Sequence, residues 1–224
     1  MRRLRDVPGL SSPRVDMPLS AGRPGTASRL MVAVVVGLAV GALTLWSVLH
    51  LPFSVEPLSN TAAPWILVTC AVALSARGRA ESLVLAIVTL LALVLGFYVA
   101  EAIRGWGVSR HQLVFWSAMS VLVGPLVGLA ADWLRRSGRT ARALSVGILG
   151  GLLAGEAVYG LMELRFSSPA RYWYVQFALG IALAAGLPLW DSRRRWLGSG
   201  AAVSASAAVF AVVGLGTFVA YQMT

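Results

Sequence analysis

Apolar residues run along this chain in blocks of roughly twenty, separated by short stretches rich in arginine, proline or small polar residues. A block of that length fits the hydrocarbon core of a bilayer, about 30 Å, crossed by a helix rising ~1.5 Å per residue. Backbone groups in lipid must pair within their own segment, so each block predicts a helix. The alternating ten-residue strands of a barrel do not occur. The expected spans cover about residues 30–49, 61–76, 82–103, 112–134, 141–163, 172–190 and 197–221. The second is the shortest, with Pro64 suited to a first helical turn, and its length leaves a re-entrant segment open. The fold class expected is all-α: a polytopic membrane helix bundle of about seven transmembrane helices over residues 29–224. Residues 1–28, with Arg2, Arg3, Arg5, Arg14 and Arg23 among four prolines, predict a disordered basic cytoplasmic tail.

Composition sharpens this picture. Of 224 residues, 58% are hydrophobic and 12% charged, about half the charged fraction of a soluble domain. The mean hydropathy is +0.76. The net charge of +10 comes from 19 basic residues, all arginine, which we read as the codon bias of a GC-rich bacterial genome. They form clusters between apolar blocks and not one basic face, which excludes nucleic acid as a partner and marks topology determinants. Counted by alternate segments, fifteen fall on one side and four (Arg104, Arg110, Arg165 and Arg171) on the other. The positive-inside rule then puts the N-terminus in the cytoplasm and the C-terminus outside, in a bacterial plasma (inner) membrane crossed several times. Tyr172, Trp173 and Tyr174 fit the outer interface; Trp133, Trp190 and Trp196 fit the inner one. Cys70 is the single cysteine, so no intrachain disulfide forms.

The central candidate is Glu156, in the outer half of the fifth block, about 21 Å along the helix from Arg142. A charged carboxylate facing lipid there costs roughly 2.5 kcal/mol or more, so it should turn toward the bundle. Tyr159 and Glu163 follow on the same face. Two readings stand: a ligand- or proton-binding carboxylate at the base of an outward-facing pocket, or a hydrogen-bonded glutamate tying two helices together. Gly147, Gly151 and Gly155 form a stripe on a different face, and Gly37 with Gly41 and Gly124 with Gly128 repeat the spacing; close helix packing is its expected use. Glu101, with Tyr98 before it and Arg104 three residues on, fits a local ion pair and, with the other outer polar groups, a binding site. Asp132 with Arg135 and Arg136 has the same spacing, and Asp191 beside Arg193, Arg194 and Arg195 reads as a solvated loop.

Polar side chains concentrate in the outer halves, including Thr44, Ser47, His50, Trp116, Tyr174 and Gln176. With two histidines and no histidine or cysteine cluster, neither a metal nor a cofactor is expected. No nucleophile–base pair, serine elbow or phosphate loop occurs, which points away from an enzyme. The expected ligand-binding set is Glu156, Tyr159, Glu101, Glu163, Tyr98, Gln176 and His50.

The runs GLAVGALTLWSVLHLP, GFYVAEAIRG, LVGPLVGLAADWLRR and LLAGEAVYGL resemble a family of uncharacterised multi-pass membrane proteins of high-GC actinobacteria, catalogued as a domain of unknown function. That resemblance covers about residues 30–220 and implies an integral plasma-membrane protein. More distantly, the pattern at Gly124, Pro125, Gly128 and Asp132 looks like the S-components of energy-coupling-factor vitamin transporters. Those typically have six helices and bind ligand from outside, and this chain departs from them in its seven expected spans. Together these readings lead to a membrane protein binding or moving a small-molecule solute through an outward-facing pocket. The alternative is a scaffold or assembly partner that docks another membrane protein or a second copy. In either case the lipid bilayer is the first partner.

Overall fold

The computed structural model describes residues 25–59, 61–135, 138–164, 167–194 and 199–222, leaving aside the side chains of 187–194, 199–203 and 221. The tail before residue 25, Arg136, Arg165 and the side chains of Trp190, Asp191, Arg193 to Arg195 and Trp196 lie outside that description. Among the described residues seven α-helices follow one another: α1 (Thr26–His50), α2 (Ala62–Ala73), α3 (Arg79–Ile103), α4 (Arg110–Arg135), α5 (Arg139–Glu163), α6 (Ala170–Arg194) and α7 (Ser199–Tyr221). A 3-10 turn, Glu56–Ser59, fills part of the proline-bearing loop between α1 and α2. Among the described residues there is no strand. Within the described residues four helices (α1, α3, α4 and α5) are long and apolar enough to cross a membrane.

The helix α5 stands at the centre. It packs against α7, α6, α4 and α2, and its residues from Ser145 through Ala157 are all buried. The glycine stripe explains how three helices crowd around it. A Cβ at Gly147 would lie 2.6 Å from the Ser206 carbonyl oxygen of α7, and one at Gly151 2.7 Å from that of Phe210. Gly150, on another face, meets Gly180 of α6 in the same way. Side chains heavier than hydrogen would push these backbones apart, so the stripe sets the spacing of α5 and α7. A second group forms where α3 packs on α1 and α4. There Gly124 and Gly128 of α4 lie against Ile87 and Leu83 of α3. The core between the two groups is built from small side chains, among them Ala63, Ala73, Ala86, Ala130 and Ala131, interleaved with Ile66, Leu149 and Leu152.

The second apolar block forms a helix of only 12 residues, about 18 Å long and well short of a bilayer core. Its ends are therefore buried against other helices, where unsatisfied backbone groups are costly. At its C-terminal end, carbonyls near the last turn are collected from outside the helix. Ser82 Oγ donates to the Ala73 carbonyl at 3.2 Å, Arg29 Nη1 to that of Ser75 at 3.2 Å, and Arg135 Nη1 to that of Ala76. Cationic donors suit the negative end of a helix. The same arginines are held by acids: Asp132, buried, takes Arg135 Nη2 at 3.1 Å and Arg79 Nε at 3.3 Å. Arg29 Nε stands 3.1 Å from Glu81 Oε1. Glu81 in turn accepts the Arg77 backbone N–H at 2.6 Å. The Asp132–Arg135 pair expected from spacing thus forms, and it acts as one corner of a network joining α1, α2, α3 and α4.

Candidate functional site

At the opposite end of α2 the donors need an acceptor. Thr61 occupies the capping position but makes no side-chain cap; its Oγ1 lies 3.0 Å from the Tyr172 hydroxyl of α6 instead. Pro64, third in the helix, has no N–H to satisfy. The two remaining donors of the first turn, Ala62 N and Ala63 N, give their hydrogens to Glu156 Oε1 at 2.6 Å and Oε2 at 3.1 Å. Gln176 Nε2 of α6 also donates to Glu156 Oε2 at 2.9 Å and to the Leu153 carbonyl at 3.1 Å. Glu156 is 2% exposed, facing the bundle as its cost in lipid requires. A carboxylate across the positive end of a helix is a favourable arrangement, and here it joins α2, α5 and α6. Helix tie is the role these contacts give it.

Above this tie lies a polar cavity of about 180 Å³, lined by Thr44, Ser59, Thr61, Ala62, Trp65, Phe97, Tyr98, Glu101, Gln112 and Trp116. It is bounded by the C-terminal ends of α1 and α3, the N-terminal ends of α2 and α4, and the 3-10 turn. Trp65 Nε1 donates to Thr44 Oγ1 at 3.0 Å, which holds the indole against the cavity wall. Phe97 lies beside it, with ring centroids 6.4 Å apart. Glu101 contributes the charge. Its Oε2 is shielded from solvent and accepts no hydrogen bond. The ion pair that spacing suggested with Arg104 does not form. The helix ends at Ile103, Gly105 turns the chain at φ 76°, and Arg104 is exposed.

The seven residues expected at a binding site divide accordingly. Glu101 and Tyr98 meet in the polar cavity. Glu156 and Gln176 are joined to each other beneath it. Tyr159 is half-buried on α5 and outside the cavity lining. Glu163 is exposed and accepts from Gln222 at 3.2 Å. His50 is exposed, stacked on Trp46, with Nδ1 2.7 Å from the Trp46 carbonyl oxygen. Glu101 and Glu156 line two adjoining cavities, and Tyr159 lines neither. Sequence reasoning passed over Ser59, Thr61, Trp65, Phe97 and Gln112 as lining residues. The signal available was the loop LPFSVEPLSN leading straight into a short block that starts with Pro64 and Trp65.

A second space, about 620 Å³ and mostly apolar, runs between α4 and α7. Leu122, Val123 and Leu126 line it from α4, and Val212, Val213 and Gly216 from α7. Its floor includes Leu152 and Glu156, and it shares Ala62, Trp65 and Trp116 with the polar cavity.

The profile of a family of unknown function, DUF6518, matches residues 21–223, and the chain belongs to that family. No curated protein and no solved structure matches it. Membership accords with the resemblance to an uncharacterised family; it carries no statement of source or of kinship to S-components. The Gly124, Gly128 and Asp132 pattern behind that likeness has a local account in helix packing and the arginine network.

Proposed function

We propose that this DUF6518 protein is a multi-pass protein of the bacterial plasma membrane that binds a small, positively charged solute from the outer face. The observation that carries the reading is Glu101 Oε2, shielded and without a donor, in a cavity that also offers Thr44, Ser59, Tyr98 and Gln112. A buried carboxylate oxygen lacking a partner is costly, and an ammonium group is the donor that would complete it. Trp65, Phe97 and Trp116 add aromatic faces, which attract cations. The volume of about 180 Å³ is on the scale of a cavity of ~150 Å³ that holds benzene. The arginine distribution supports an orientation with the cavity outside and the arginine network at the C-terminal end of α2 on the cytoplasmic side.

The test is equilibrium binding of butylamine and butyrate to the full chain in lipid nanodiscs. Butylamine is expected to bind and butyrate not to, and Glu101→Gln should weaken butylamine at least tenfold, the size of a charge-assisted hydrogen bond. Equal binding of both probes, or of butylamine by both proteins, would refute the reading. The assembly-partner alternative keeps one supporting observation, that Glu156 serves as a helix tie. Its glycine faces, by contrast, are already covered by α3, α6 and α7 of the same chain.

A further inference from the structure

We infer that the solute is an amphiphile, a long-chain alkylamine in chemical class, with its ammonium head at Glu101 and its chain in the crevice between α4 and α7. This rests on the polar-cavity reading and extends it. Three observations support the extension. The two spaces adjoin, with Ala62, Trp65 and Trp116 in the lining of both, so a molecule anchored at Glu101 lies beside an apolar space. The crevice is more than three times the volume of the polar cavity and almost wholly apolar, which suits an alkyl chain and not a hydrated solute. Neither space is lined by arginine, lysine or histidine; the charged residues are Glu101 and Glu156, the latter already engaged with α2 and Gln176. A phosphate or carboxylate head would meet carboxylates with no cation to offset them, so the charge pattern selects an amine and rejects phospholipids and fatty acids.

Gly216 provides a clean way to obstruct the chain alone. It lines the crevice, and a Cβ there meets nothing within 4 Å. A larger side chain therefore enters the open space without moving a backbone. Met119→Trp obstructs from the α4 wall and is the second variant. The experiment is equilibrium binding of tritiated dodecylamine to the full chain in phosphatidylcholine nanodiscs, corrected for protein-free discs, with butylamine, dodecanol and dodecanoate as competitors. Dodecylamine is expected to bind at least tenfold more tightly than butylamine, and dodecanoate should not compete. Gly216→Leu and Met119→Trp should weaken dodecylamine about tenfold and leave butylamine unchanged, whereas Glu101→Gln weakens both amines. If both crevice variants leave dodecylamine untouched while Glu101→Gln still weakens butylamine, the chain lies elsewhere and only the amphiphile inference falls. If dodecanoate competes as well as dodecylamine, the charge argument falls. If Glu101→Gln changes neither amine, the polar-cavity reading fails and takes the amphiphile with it.

Discussion

Asp132 and Glu101 are both carboxylates near an end of a long helix, each with an arginine three residues further on. Asp132 keeps that arginine, gains Arg79 from α3 and is sealed from solvent. Glu101 has no such pair; it lines a cavity, and its Oε2 is buried without a hydrogen-bond donor. The difference comes from where each helix stops. Arg135 is the last residue of α4 and reaches sideways to the end of α2, whereas Arg104 already lies beyond α3, next to a glycine that turns the chain. Identical local spacing therefore yields a structural clamp at one end of the bundle and a vacant acceptor at the other.

Substitutions should therefore separate into those that cost stability and those that cost binding. Glu156→Ala should have the largest effect, roughly 3 kcal/mol or more, because it strands two backbone donors of α2; thermal unfolding should fall steeply and hydrogen exchange at Ala62 and Ala63 should rise. A loss below about 1 kcal/mol would mean that the tie to α2 is dispensable. Asp132→Asn comes next, at about 1–2 kcal/mol, since Arg79 and Arg135 are partly exposed and their attraction is screened. Glu101→Gln should change stability by no more than about 0.5 kcal/mol while removing amine binding, and a destabilised variant would show that Glu101 is a clamp like Asp132. Arg104→Ala should be the smallest change, silent in both unfolding and binding.

The sequence reading anticipated the helices, the packing use of the glycines and the inward face of Glu156 because each follows from a short-range rule: block length, small-residue spacing, the cost of a charge in lipid. It assigned Glu156 and Glu101 to one pocket because both lie in outer halves, and depth alone does not say which neighbours intervene. The first turn of α2 stands between them, and only the tertiary arrangement places it there. The same limit applies to Thr61, whose hydroxyl is paired with that of Tyr172, 111 positions away. Trp65 and Phe97 look like ordinary core residues in isolation; their role depends on α1 and α3 ending around the start of α2. The arginine network was half legible, as the i,i+3 pair within α4, while its contacts with the carbonyls just past α2 join residues 46 and 59 positions apart.

One consequence follows from the level at which α2 begins. Glu156 sits seven residues before the end of α5, so the residues it holds are sunk about 10 Å below that helix's rim. In a bilayer this makes a well with the first turn of α2 at its floor and an apolar crevice beside it. A greasy molecule could then arrive by lateral diffusion within the leaflet and lift only its head into the well, without ever passing through water.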